Sequence, residues 1–383
     1  MDIDQKYKKG EAHMKALLLS CSTGEGHNHG ALAVKEALEA RGHDTEFLDM
    51  LHLCGVPKLI SIETVLNTIS TRTPEVFGMM YRAGQMYSAT GITSPVYLAN
   101  IRYTDELCDV IDRRGSDAII CSHLFPMETL TFLRRHRGLN KRCYGVLSDY
   151  ACIPFLNETE LDRYFLPHTE VLTQCVEAGM TPESLCVTGM PISSAFFTRT
   201  DKAAARAALG LPTGKKLYLV MTGGIGCGDA LTLCDALRMV PDENSMIVVL
   251  AGRNEELRAS LAGKYGDDGG VQAIPFTNQV AMYMSAADVL LSKAGGISSS
   301  EAAAFGVPLV HTMAIPGIET LNAEFFARHG MSFFAQNADQ AARFADRLVY
   351  DPSAAERMLA AQRNYMTREG ASRIAESIER DSL

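Results

Sequence analysis

Residues 15–30 read KALLLSCSTGEGHNHG, and the fold follows from that order. Lys15–Cys21 is a short apolar run of the kind a strand buried on both faces carries. Ser22–Gly30 brings Gly24, Gly26 and Gly30 in close succession. A helical pattern then covers Ala31–Ala40 and stops at Arg41-Gly42, and Thr45–Asp49 reads as the next strand. Strand, glycine loop, helix and strand together open a doubly wound α/β domain.

The unit recurs. Leu217–Thr222 is a strand that enters Gly223-Gly224-Ile225-Gly226-Cys227-Gly228, with a helix over Asp229–Met239. Between the two units, strands are expected at Asp117–Ser122, Cys143–Asp149, Asp162–Leu166 and Ser184–Thr188. Helices are expected at Thr104–Arg114 and Met127–Arg137. Beyond the second unit, strands are expected at Met246–Ala251, Val271–Pro275, Asp288–Ser292 and Pro308–Thr312, with a helix at Asn254–Lys264. The reading is α/β, with two Rossmann-like domains facing a central cleft. Residues 1–200 form the first, 201–214 the linker with a short helix at Asp201–Leu209, 215–350 the second, and 351–383 C-terminal helices. Residues 51–104 break the rhythm of the first domain.

Composition narrows the function. The 383 residues are 47% hydrophobic and 21% charged, with 36 Lys plus Arg against 45 Asp plus Glu and a net charge of -9. The acidic excess is spread over both halves, which argues against a nucleic-acid partner. The 10 cysteines include no CxxC pair and suggest reduced thiols in a cytoplasmic protein. No secretory leader and no run of apolar residues long enough to span a membrane is visible, so any membrane contact is expected to be peripheral.

Three stretches carry chemistry. A glycine loop opening a helix, as at Ser22–Gly30, presents backbone N–H groups and a positive helix end. His27 within it reads either as a cleft residue or as a loop histidine bonded to backbone. Gly223–Gly228 repeats the arrangement and suits a phosphate or a sugar, or else is a tight turn. The densest stretch is Pro275–His329. There, Gly295-Gly296 and the run of hydroxyls that follows open a helix as a phosphate cradle by position. Glu301 lies one turn inside, where a carboxylate can accept bonds from a ribose diol. Glu319 and Asn322, three apart, share a helix face and can meet sugar hydroxyls.

Two nucleotide-fold domains on one cleft also follow the GT-B plan, although element order alone fits other two-domain α/β proteins. The motifs in order make the chain resemble glycosyltransferase family 28, in the branch of monogalactosyldiacylglycerol synthases and processive diacylglycerol β-glucosyltransferases. The peptidoglycan lipid-intermediate N-acetylglucosaminyltransferase is a more distant relative. The resemblance covers roughly residues 14–350 and is carried by Thr23–Gly30, Val187–Pro191, Gly223–Gly228, Pro275-Phe276, Lys293–Ala302 and Pro316–Asn322.

It implies a GT-B fold and an inverting enzyme that moves a hexose from a UDP-sugar to a lipid, diacylglycerol first among the candidates, to give a β-glycosyl lipid. In the donor site it places Ser298 at the diphosphate, Glu301 at the ribose, Phe276 and Thr277 at the uracil, and Glu319 and Asn322 at the sugar, while Gly223, Gly224, Gly226, Gly295 and Gly296 are donor-binding candidates from their loop positions. His27 is implied as the general base or as an acceptor-site residue, with the base role preferred. Asp149 is the alternative base or acceptor-orienting group, and His123 a further candidate. Gly24 and Gly26 fall on the acceptor side. No cofactor is expected, and no metal site is evident. In departure from the family pattern, Ile318 stands for a glutamine and Ile297 for a glycine. Ser193 stands where the peptidoglycan relative has a basic phosphate contact.

Segment 51–104 is net basic, with Lys58, Arg72, Arg82 and Arg102 against Glu63 and Glu75. Val56, Leu59, Ile62, Leu66 and Ile69 recur at helical spacing, and Phe77, Met79, Met80, Tyr81, Met86 and Tyr87 are apolar and methionine-rich. A membrane-interface face, with Phe77, Tyr81, Arg82 and Tyr87 as contacts, and an ordinary packed helix are both consistent with this. The resemblance favours an anionic membrane surface, on its cytoplasmic face. The run Arg134–Arg142 is either a second anionic-surface candidate or a helix C-terminus balancing its dipole. The alternatives to lipid transfer are a GT-B transferase on a polyprenyl-linked or soluble acceptor, and a sensor that binds UDP-sugar without catalysis. A nicotinamide dehydrogenase is disfavoured, because neither glycine loop has the dinucleotide fingerprint.

Overall fold

The structure is a computed structural model that describes residues 13–22, 25–50, 69, 73–223, 229–239, 244–266, 270–312 and 314–382. The first sheet holds β1 (Lys15–Ser20), β2 (Asp44–Asp49), β3 (Ala118–Cys121), β4 (Arg142–Val146), β5 (Arg163–Leu166) and β6 (Leu185–Val187). The second holds β7 (Lys216–Met221), β8 (Ser245–Leu250), β9 (Val271–Ile274), β10 (Val289–Ser292), β11 (Leu309–His311) and β12 (Phe333–Phe334). Every pairing is parallel, in the orders β2-β1-β3-β4-β5-β6 and β12-β11-β10-β7-β8-β9.

Both orders reverse direction once, between β1 and β3 in the first sheet and between β7 and β10 in the second. In open α/β sheets the crevice beyond the strand ends at such a reversal is where ligands bind. The residues after β1 and β3 include His27 and Ser122. Those after β7 and β10 include Gly223 and Lys293.

Parallel strands covered by helices on both faces read as near-continuous apolar runs, and the buried patterns of β1, β3 and β10 fit that. Boundaries differ most from the sequence reading at three places of the first domain, one being the helix expected at Met127, which starts at Leu124. The first helix spans Glu25–Glu39, so His27, His29 and Gly30 sit on its opening turns and not in a loop. A first turn tolerates weak helix formers, and Glu25 there complements the helix dipole. Strand β4 stops at Val146, leaving Leu147–Tyr150 as a loop at the cleft. The two-residue β12 carries too short a pattern to be read beforehand.

The linker helix Lys202–Ala208 docks on the second domain through Arg206, which is 3% exposed and bonded to Ala286 O and Asp288. Two helices close the chain, Pro352–Tyr365 and Gly370–Ser382. The last one returns to the first sheet, where Ile374, Ala375 and Ile378 join a core with Leu18, Val34 and Phe165.

Candidate active site

The strand ends of both sheets enclose one cavity of about 1010 Å³, large enough for two substrates together. Its first-domain wall is largely apolar, with Phe77, Tyr81, Val96, Tyr103, Phe125 and Phe155. Its second-domain wall is glycine-rich and mixed, with Gly223, Gly295 and Gly296, the polar Thr277, Lys293, Ser298, Glu301 and Glu319, and the apolar Leu250, Phe276, Val280, Ile315 and Ile318.

Glycine is required where the two walls meet. A Cβ on Gly296 would strike the Ser148 carbonyl oxygen and come within 3.0 Å of Asp149 Cα. Gly317, at φ +111, lies under the Tyr81 ring, 2.8 Å from Tyr81 Cγ to the place of a Cβ. The helix Pro74–Ser88 therefore packs directly on the Pro316-Gly317 loop of the second domain.

His27 Nδ1 lies 2.9 Å from Ser122 O and 2.9 Å from Ser148 Oγ. A carbonyl oxygen only accepts, so Nδ1 carries the hydrogen of the neutral ring and Nε2 keeps its lone pair. Nε2 has no hydrogen-bond partner among the described residues, and His27 lines the cavity. His123 meets the His27 ring edge-on at 4.7 Å and caps the helix Leu124–Arg137 by accepting from Phe125 N. Burial first, and then His27, holds its pKa well below the usual histidine range. It therefore stays neutral, in a capping position.

Asp149 lines the cavity, and its Oδ1 accepts from Asn322 Nδ2 at 2.8 Å. Asn322 itself requires a correction. It is fully buried and absent from the cavity wall. Its Oδ1 accepts from Tyr150 N at 2.8 Å, and its Nδ2 donates to Asp149 and to Ala294 O. Its amide ties the two domains together and is not presented to a sugar. Glu319 lines the cavity with Oε1 2.7 Å from Lys293 Nζ, while Oε2 accepts from Ile315 N at 3.0 Å.

Gly295 and Gly296 cap and open the helix Gly296–Phe305, and Ser298 Oγ lies within it, 3.3 Å from Gly295 O. Phe276 and Thr277 follow β9 on the cavity wall. The Phe276 ring, 45% exposed, has the Arg253 guanidinium 4.5 Å from its centroid. Arg253 pairs with Glu25 across the cleft. Gly26 and Gly223 line the cavity. Gly24, Gly224, Gly226 and the repeat Val56–Leu66 lie outside the described residues.

Phe77 and Tyr81 face the cavity, whereas Arg82 is exposed outside it and Tyr87 packs edge-on to Phe155. Around them Val76, Met79, Met86, Ile92 and Leu98 are exposed at 40–76%. The basic run is paired: Arg134 and Arg142 with Asp162, Arg135 with Glu160, Arg137 with Asp105. These pairs offset part of the charge at the helix end, while Arg137 and Arg142 stay more than half exposed. Of the departures, Ile297 is buried against the place of a Gly30 Cβ at 3.3 Å, while Ile318 lines the cavity.

Sequence reading missed Lys293, Ser148 and Arg253 as site residues. Lys293 had a signal, being a lone lysine at a strand end just before Ala-Gly-Gly. Ser148 and Arg253 had none, because their roles depend on the other domain.

Glu301 is 5% exposed, with His29 Nδ1 3.9 Å from its Oε1. Burial pushes its carboxyl up to about 8 from 4.5. Between those values the folded chain holds a proton that the unfolded chain has released. The stability from this group is therefore complete below 4.5 and falls as pH rises to 8. Glu301→Gln removes that slope, so calorimetry at pH 5 and pH 9 is expected to show the variant's thermal midpoint gaining on wild type at the higher pH. An unchanged difference contradicts the buried-carboxyl account.

Among the described residues, no three of His, Cys, Asp and Glu cluster to hold a metal ion, and no helix is long and apolar enough to cross a membrane. Residues 27–192 match the family described as monogalactosyldiacylglycerol (MGDG) synthase, and residues 201–365 match glycosyl transferases group 1. The chain is 25% identical over 372 residues to a processive diacylglycerol beta-glucosyltransferase of Bacillus pumilus, covering 96% of this chain and 95% of that one. The solved glycotransferase of kitacinnamycin superposes with TM-score 0.67 at 15% identity, covering 97% of this chain and 100% of that one. The S. aureus MnaA-UDP co-structure superposes with TM-score 0.63 at 13% identity, covering 97% and 98%.

Proposed function

We infer that the chain belongs to glycosyltransferase family 28, in the branch of monogalactosyldiacylglycerol synthases and processive diacylglycerol β-glucosyltransferases; its fold is GT-B. From that premise we propose that it moves a hexose from a UDP-sugar to a diacylglycerol hydroxyl, with inversion, making a β-glycosyl-diacylglycerol. One observation carries the reading: one cavity joins the glycine-rich strand ends and helix opening of the second domain to the cluster of aromatic side chains in the first. The former suits a nucleotide diphosphate and the latter an acyl glycerol. The Bacillus pumilus relative is named for this transfer, and the S. aureus neighbour is a co-structure with UDP, which supports the donor class.

In this reading the uracil lies by Phe276 and Thr277, and the ribose bonds to Glu301. The diphosphate meets the N-terminus of Gly296–Phe305 with Ser298, and the sugar lies near Glu319. Charge grows on the diphosphate as the glycosidic bond breaks, so fixed N–H dipoles there act selectively in the transition state. The lipid hydroxyl attacks the anomeric carbon from the opposite face. Its proton passes to His27 Nε2, whose ring is held by Ser122 O, and Asp149 orients the hydroxyl. The exposed apolar side chains around Met79 and Met86, with Arg82 beside them, contact an anionic membrane at its cytoplasmic face, giving a peripheral enzyme. The reading calls on no cofactor.

The test is a panel. UDP-glucose, UDP-galactose and UDP-N-acetylglucosamine are each incubated with diacylglycerol vesicles, a polyprenyl phosphate or a soluble alcohol, and products are read by mass spectrometry. Hexosyl-diacylglycerol is the expected product with at least one donor. Turnover confined to the polyprenyl or soluble acceptor contradicts the acceptor assignment, and UDP binding without transfer to any acceptor contradicts catalysis.

A further inference from the structure

A departing nucleoside diphosphate carries concentrated negative charge, and the wall that receives it must supply positive charge. This cleft is poor in it. The described residues lining the cavity include the carboxylates Glu25, Glu36, Asp149, Glu301 and Glu319, and Lys293 as their only lysine or arginine.

Lys293 directly follows β10 at the reversal of the second sheet, beside the end of β7. Its side chain is 29% exposed, with Nζ 2.7 Å from Glu319 Oε1. Its stem lies across Gly223, where a Cβ would come within 2.7 Å of Lys293 Cε. Gly223, at φ +79, carries no Cβ and so leaves room for it. Two residues beyond Lys293, Gly295 and Gly296 open the helix Gly296–Phe305. An ammonium, a helix N-terminus and a glycine turn thus converge on one place.

We infer that Lys293 is a catalytic residue that binds the donor diphosphate and stabilises it as the bond to the sugar breaks, with Glu319 as its positioning residue. The inference rests on the UDP-sugar reading above. Glu319 suits the task because its second oxygen is fixed by Ile315 N. When the donor arrives, the ammonium has donors enough to bridge Glu319 and a phosphate oxygen. A carboxylate that holds a lysine in this way is a tether first and a sugar contact second.

The experiment is calorimetric titration of wild type, Lys293→Met and Lys293→Arg with uridine and with UDP. Loss of one charge-assisted contact is expected to weaken UDP binding by about 10- to 100-fold in Lys293→Met, with uridine affinity unchanged and partial recovery in Lys293→Arg. Steady-state kcat with a UDP-hexose is expected to fall in the same order. Wild-type UDP affinity in Lys293→Met overturns the inference and leaves the donor reading standing. Equal loss of uridine and UDP makes Lys293 a structural residue and overturns it too. A wild-type protein that binds neither ligand overturns the donor reading itself.

Discussion

Replacing His27 by alanine is expected to lower turnover by about 10²- to 10⁴-fold while UDP affinity stays at the wild-type value. The magnitude is that of a removed general base, and the selectivity comes from the geometry. His27 reaches the cavity from the opening turn of Glu25–Glu39, and Ser122 O fixes its proton on Nδ1. Among the described residues the ring bonds to no part of the second domain. Its loss therefore leaves the second-domain wall intact. Ser148→Ala, which removes only the second Nδ1 neighbour, is expected to cost far less. Steady-state kinetics with a calorimetric UDP titration on both variants checks this. A His27→Ala enzyme near full turnover contradicts the base assignment and passes the role to Asp149.

Gly296→Ala is expected to be the most damaging small substitution in the cleft. Its Cβ would meet the Ser148 carbonyl and Asp149 Cα, both backbone, and neither can swing aside as a flexible side chain does. Relief requires moving the Leu147–Tyr150 loop or the helix Gly296–Phe305. The first carries Ser148 and Asp149, and the second carries Ser298 and Glu301. Overpacking of this kind costs about 1–3 kcal/mol and sometimes more. Here it also separates the two walls, so the thermal midpoint, UDP affinity and turnover are all expected to fall together. Gly26→Ala is the control, because nothing lies within 4 Å of its Cβ. Its thermal midpoint is expected to match or slightly exceed wild type, as for a helical glycine whose unfolded entropy is reduced. A Gly296→Ala protein with wild-type stability and binding contradicts this account of the seam.

The alternation of strand and helix was legible because central strands such as β1, β3 and β10 are buried on both faces and helices such as the first stop at a clear signal, here Arg41-Gly42. The start of the first helix was not, since His-Asn-His-Gly looks like loop until a first turn is allowed to hold weak helix formers. Within the site, residues whose role is local could be read. Gly295, Gly296 and Ser298 open a helix after a strand wherever the rest of the chain lies. Residues whose role is set by the other domain could not. Asn322 has the spacing of a sugar contact, yet its amide bonds across the domain seam to Asp149 and Tyr150. Arg253 and Ser148 gain their positions only when the two sheets face each other. The basic run Arg134–Arg142 was ambiguous for the same reason, because its carboxylate partners lie 20 to 32 residues away in the chain.

The most direct measurement of the central claim is the anomeric configuration of the lipid product. Purified protein is incubated with diacylglycerol vesicles and the UDP-hexose it turns over, and the extracted glycolipid is read by proton NMR. Attack by the lipid hydroxyl opposite the diphosphate, with His27 taking the proton, predicts a β-linked hexosyl-diacylglycerol. An α-linked product, or no glycolipid from a protein that still binds UDP, contradicts it.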